Sequence, residues 1–166
     1  MKGDFMDEQL RDLFEACLEQ ATDDDRKVLH TLLAGVKKKQ DNINSSYIGG
    51  ILHMDRTITA QECRITMPVS PLLHNTLGIV HGGITATAVD SAMGTLANSL
   101  LPEGYGAVTT QLNIHYLAVG KGENIICTAA LSHKGTKTMV LSADVYRADG
   151  RKIAQATGSF FVIEKK

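Results

Sequence analysis

The sequence contains no tryptophan, and its four Tyr and four Phe amount to only 5% of 166 residues. Exposed bases are gripped by stacking on such rings, so a single-strand nucleic-acid binder is disfavoured. An excess of positive charge is also missing, because 17 Lys plus Arg face 18 Asp plus Glu for a net charge of -1. Without it there is no long-range attraction toward a phosphate backbone or an anionic membrane, and any anionic ligand has to be held by a local patch. Neither a nucleic-acid nor a membrane partner is expected. Cysteine is scarce: Cys17, Cys63 and Cys127 are odd in number, widely spaced and without a Cys-x-x-Cys pair. That disfavours a disulfide framework and a zinc site, and no metal is expected. No run of about 18 apolar residues occurs, and Asp7, Glu8, Arg11 and Asp12 interrupt any secretory core near the start, so the expected location is the cytoplasm. Proline is rare, three residues against 15 Gly, as in an ordered chain with tight turns.

Periodicity supplies the outline. Leu10, Leu13, Phe14, Cys17, Leu18 and Ala21 form one apolar stripe at helical spacing. Thr22 reads as the N-cap of a second helix over about 23–38, with Asp23, Asp24 and Asp25 in its first turn and Lys37, Lys38 and Lys39 toward its end, each sign matching the helix dipole. A polar run over 40–46 reads as a connector. The ranges 48–59 and 61–69 read as strands, the second alternating Cys63, Ile65 and Met67 with Glu62, Arg64 and Thr66. From Gly82, Val89, Ala92, Met93, Leu96, Ala97 and Leu100 give a central helix, ended by Pro102 and Gly104. Four strands follow over 106–119, 124–133, 137–147 and 152–163, with turns so short that neighbours must be antiparallel. The fold class is therefore α+β: a strand-rich domain over 47–166 whose antiparallel sheet wraps one long helix, preceded by a two-helix extension over 1–46. The stripes of that extension are expected to pack on the domain.

The chemistry concentrates in Asn75-Thr-Leu-Gly-Ile-Val-His81-Gly82-Gly83 and in Asp90. Two glycines at a helix start leave backbone N–H groups open to a ligand, where the dipole favours a developing oxyanion. At 100° per residue Asp90 lies at the margin of the buried stripe, a place where a carboxylate can act as base or nucleophile. Singly, His81 reads as a surface histidine, Asn75 as a turn former and Asp90 as a solvated helix residue. Their joint spacing is what points to a site.

This spacing resembles that of the hotdog-fold acyl-CoA thioesterases, specifically the PaaI-like group that includes phenylacetate-pathway and human THEM-type enzymes. The resemblance spans Tyr47 to Ile163 and is densest in Asn75 to Asp90 and in Gly106 to Leu117. It implies a hotdog fold and hydrolysis of an aryl- or fatty-acyl-CoA, with the CoA thioester as substrate and no cofactor. It also implies roles: Asn75 holding the carbonyl or the water, His81, Gly82 and Gly83 as the family's His-Gly-Gly, with His81 a catalytic residue, the Gly82 N–H the oxyanion donor and Gly83 at the substrate, Asp90 as base or nucleophile, and Thr109 orienting the water. The site is implied to lie between subunits of a homodimer or homotetramer.

Other readings stay open. His133-Lys134-Gly135-Thr136-Lys137 is the candidate for CoA phosphates, since two lysines flank a bend with exposed N–H groups, although a plain solvated hairpin has the same composition. By strict alternation Thr109 shares a face with Gln111, Asn113 and His115, opposite Leu112, Ile114 and Tyr116, so its role rests on the resemblance alone. A non-catalytic acyl-CoA sensor would keep the pocket without a base. A hotdog hydratase or dehydratase would pair the Asp with a His five residues later, where this chain has Thr95. No Gly-x-Ser-x-Gly elbow and no His-Glu-x-x-His is present to support a serine triad or a metal hydrolase.

Overall fold

The computed structural model describes residues 2–42 and 46–165. Helix α1 spans Lys2–Glu19 and α2 spans Asp23–Asp41. The start of α2 is fixed as its sequence requires. The Thr22 hydroxyl accepts from the Asp25 N–H at 3.2 Å, and the Asp25 carboxylate accepts from the Thr22 N–H at 2.9 Å, a reciprocal capping box. Residues 43–45, the middle of the expected connector, lie outside the described residues.

The range 48–59 is not one strand. Its first part belongs to a short helix α3, Tyr47–Ile51, and only Asp55–Ile58 is extended, as β1. The Ser46 hydroxyl caps the Gly49 N–H at 3.1 Å, and the Gly49-Gly50 pair carries no side chains to stabilise a pleat. Helix α2 crosses α3 at Gly35, where a Cβ would lie 2.5 Å from the Ile51 Cα, so the two backbones touch. His53 then adopts φ 50° as the left-handed residue after α3. The N–H groups of His53 and Met54 close the end on the carbonyls of Gly50 and Gly49.

Helix α1 departs from expectation. Leu10 and Leu13 are 65% and 64% exposed and Phe14 and Cys17 are also exposed, so its stripe does not pack on the strand-rich domain. Only α2 of the pair is docked.

The remaining elements are β2 (Glu62–Pro68), a 3-10 turn at Pro71–Leu73, α4 (Gly82–Ser99), β3 (Tyr105–Tyr116), β4 (Asn124–Lys134), β5 (Thr138–Arg147) and β6 (Lys152–Glu164). The strands form one antiparallel sheet in the order β1-β2-β4-β5-β6-β3. Helix α4 lies on its inner face. Cys63, Ile65 and Met67 of β2 point to it, as their alternation predicts, and Val89, Ala92, Met93, Leu96 and Ala97 return the contact, all fully buried. Each large side chain buried here contributes about 1.5–3 kcal/mol. Small residues set the separation: a Cβ on Gly158 of β6 would lie 2.8 Å from the Met93 sulfur.

One irregularity matters for the site. The pairing of β3 with β6 shifts register between Thr109 and Gln111, so Thr110 is the extra residue of a β-bulge. Its hydroxyl donates to the Ser159 carbonyl at 3.0 Å. The bulge reverses the alternation. Thr109 pairs with buried Phe160, while Leu112 and Ile114 pair with Gly158 and Ala156 of the same inner set. Strict alternation places Thr109 with Gln111, Asn113 and His115; the structure places it on the helix side instead.

Candidate active site

The first turn of α4 has four N–H groups with no partner in the preceding helical turn. The His81 carbonyl accepts from Ile84 and Thr85 at 3.0 and 3.2 Å. The His81 side chain is the N-cap, its Nδ1 accepting from the Gly83 N–H at 2.9 Å. That leaves the Gly82 N–H, which has no hydrogen-bond partner among the described residues. Because Nδ1 accepts, the neutral ring carries its proton on Nε2. A Cβ on Gly83 would lie 3.0 Å from this Nδ1, so a glycine there lets the ring close over the turn.

Asn75 lies against the same end of the helix. Its side-chain oxygen accepts from the N–H groups of Leu77 and Ile79 at 2.9 and 3.4 Å, which rigidifies the loop and assigns the amide orientation. The amide NH2 is thereby left as a donor. Asn75 and Gly82 line one cavity of about 370 Å³, whose walls include Val80, Leu117, Val119 and Ile153.

Asp90 sits two turns further along α4 and is half-buried. The Thr109 hydroxyl donates to its Oδ1 at 2.7 Å. That is the only hydrogen bond to this carboxylate among the described residues, so Oδ2 is open. Asp90 and Thr109 line a second, broad cavity of about 590 Å³ with Arg56, Ser91, Gly94, Thr95 and Asn98. Arg56 reaches it from β1, a residue that no sequence pattern singles out.

The eight residue steps from Gly82 to Asp90 correspond to about 12 Å along the helix axis at 1.5 Å per residue. One carbonyl carbon needs both its oxyanion donors and its attacking water within about 3 Å. Gly82 and Asn75 line one cavity and Asp90 and Thr109 another; were both pairs to serve one reaction, a single chain would hold only two half-sites, a donor half at the first and a base half at the second.

The lysine hairpin lies at the far end of α4. The Lys134 ammonium donates to the Leu100 carbonyl at 2.6 Å, where it neutralises the negative end of the helix dipole. The turn closes through the Gly135 N–H on the Thr138 carbonyl at 2.8 Å, and Thr136 and Lys137 are exposed. Leu100 is about 15 Å beyond Asp90 by helical rise, so along the helix the hairpin lies nearer to Asp90 than to Gly82. Among the described residues no cluster of three or more His, Cys, Asp or Glu could hold a metal ion.

Residues 77–154 match the family model described as the Thioesterase superfamily. A crystal structure of a Bacillus halodurans protein with CoA superposes with a TM-score of 0.85 at 35% identity, over 90% of this chain and 99% of that one. The chain belongs to the thioesterase superfamily. A putative esterase of Halobacterium salinarum is 34% identical over 112 residues, 61% of this chain and 74% of that protein. Mouse acyl-coenzyme A thioesterase 13 is 39% identical over 83 residues, 49% of this chain and 59% of the relative. The matched segment thus spans under two thirds of that thioesterase's length. The superposition establishes the hotdog architecture, with α4 as the long helix that the sheet wraps.

Sequence reasoning missed Tyr116. Its hydroxyl donates to the Gly82 carbonyl at 2.8 Å from the last residue of β3. Alternation already sets Tyr116 on the face of Leu112 and Ile114, and the bulge brings Thr109 round to that same face.

Proposed function

We propose that this protein is an acyl-CoA thioesterase that hydrolyses an aryl- or fatty-acyl-CoA to the free acid and CoA, in a site built from two copies of the chain. The observation that carries this reading is the unpartnered Gly82 N–H at the positive end of α4, beside the amide NH2 of Asn75. Two neutral donors on one cavity at a helix start suit an oxygen that becomes negative during reaction. The thioester carbonyl oxygen would rest on these groups of one subunit. The partner subunit's Asp90 would take a proton from a water oriented by the partner subunit's Thr109. That water attacks the carbonyl carbon, the tetrahedral intermediate collapses, the C–S bond breaks, and Asp90 returns the proton to the departing CoA sulfur. Each oxyanion donor of this kind contributes about 3–4 kcal/mol and a positioned base about 100- to 10,000-fold.

The CoA-bound Bacillus structure supports a CoA ligand, and the acyl-CoA thioesterase relatives support the reaction class. The separation of the half-sites supports a homodimer, or a homotetramer made of two dimers. The walls of the donor cavity are largely apolar, which suits an acyl group. Lys137 with Gly135, Thr136 and Lys134 would meet the CoA phosphates, and no resident cofactor is required. The free thiols Cys63 and Cys127 fit a cytoplasmic setting, and no helix among the described residues is long and apolar enough to cross a membrane.

The test is CoA release from a panel of aryl- and fatty-acyl-CoAs by the wild-type chain and by Asp90→Asn. Release that drops more than about 100-fold in the variant supports the reading. Tight binding without release would establish a sensor instead, and a change in unsaturation without release would establish a hydratase.

A further inference from the structure

The peptide between Gly82 and Gly83 is held from both sides. Its N–H donates to the His81 ring at 2.9 Å, and its carbonyl accepts from the Tyr116 hydroxyl at 2.8 Å. The hydroxyl end of the Tyr116 ring also lies against the turn, its Cζ 3.4 Å from where a Gly82 Cβ would be. Two consecutive glycines give the start of α4 more backbone freedom than any other pair. A donor whose orientation drifts must reorganise during the reaction, and that reorganisation raises the barrier. The sequence supplies two side chains, one on each edge of the same peptide, that remove this freedom.

We infer that Tyr116 is a positioning residue for the oxyanion donor: its hydroxyl fixes the Gly82–Gly83 peptide and so aims the adjacent Gly82 N–H. This rests on the thioesterase reading above, since it concerns the donor half of that site. Tyr116 acts through the backbone, and its contribution is expected in kcat. The hydroxyl is at the end of an edge strand, and the Tyr116 side chain is exposed, with no role in the buried core. Loss of the hydroxyl alone therefore leaves the fold intact.

The experiment compares Tyr116→Phe with the wild-type chain and with Asp90→Asn, using one acyl-CoA that the wild type turns over. Tyr116→Phe is expected to lower kcat about five- to tenfold, the equivalent of one lost neutral hydrogen bond, with KM within about twofold. Amide hydrogen exchange at Gly83, whose N–H is anchored to His81, is expected to speed up while the core of the sheet stays protected. The inference is overturned if Asp90→Asn is inactive but Tyr116→Phe has the wild-type kcat. It is also overturned if the loss appears only as a raised KM with unchanged exchange at Gly83. If instead no acyl-CoA is hydrolysed, or Asp90→Asn is as active as the wild type, it is the thioesterase reading that fails.

Discussion

The Thr109 hydroxyl donates to Asp90 at 2.7 Å because β3 carries one residue too many for its partner strand. Thr110 takes up the extra position and binds the Ser159 carbonyl, and Thr109 turns from the outer to the inner face. A backbone irregularity thus sets the orientation of the carboxylate: one oxygen is occupied, and the other has no partner among the described residues.

Removing that hydroxyl should disorient Asp90 without disturbing the strand. For Thr109→Val, a β-branched replacement of similar shape, kcat should fall about tenfold to hundredfold, the range for a hydrogen bond to a charged group. Thr109→Ser should retain most of the activity. Steady-state kinetics on the pair, with thermal melting to confirm equal folding, checks this. Equal losses in both variants would contradict it.

How much of this was legible in the residues differs from element to element. The capped start of α2 followed from Thr22 and the three aspartates, because capping is local chemistry. The inner face of β2 followed from Cys63, Ile65 and Met67, because burial imposes a period of two. The face of Thr109 did not, since a bulge is decided by pairing with a distant strand and leaves no mark in the local pattern. Nor did the exposure of α1, because an amphipathic stripe states that a face should be covered and not by what. Asn75, His81, Gly82 and Asp90 were legible as a spacing. The resemblance already implies a site between subunits, and the structure adds the length of α4 that separates Gly82 from Asp90.

The two lysines of the β4–β5 turn should separate by role. Lys137 is exposed, so Lys137→Met should raise KM for an acyl-CoA about two- to fivefold, the size of a solvent-screened ion contact, and the difference should shrink at high salt. It should leave KM unchanged for a thioester lacking phosphates. Lys134→Met should also lower the melting temperature, because the Leu100 carbonyl loses its donor. Kinetics on the two substrate types, with melting curves, tests both.

The cysteines should report the core. Cys17 is exposed, whereas burial pushes the Cys63 thiol up and pushes Cys127 up to about 12 from an ordinary 9.0. Thiol-reactive reagent at neutral pH should modify Cys17 rapidly and the other two only on unfolding. The neutral thiol of Cys127 is favoured in the folded state. Its contribution to stability is complete below pH 9 and is lost as pH rises toward 12. The melting temperature should therefore fall across that alkaline range, and less steeply in Cys127→Ala.

The account stands most directly on whether one catalytic site draws its two halves from different chains. Gly82→Pro removes the Gly82 N–H at a helix position where proline is accepted, and His81, with φ -61° and ψ 134°, already has the backbone a following proline requires. Asp90→Asn removes the base. Each variant alone should be inactive. Co-expressed and assembled together, half of the dimers should be mixed, and one of the two sites in each should be intact, restoring about a quarter of the wild-type rate. Activity that stays at the level of the separate variants, in samples shown to contain mixed dimers, would contradict the composite site.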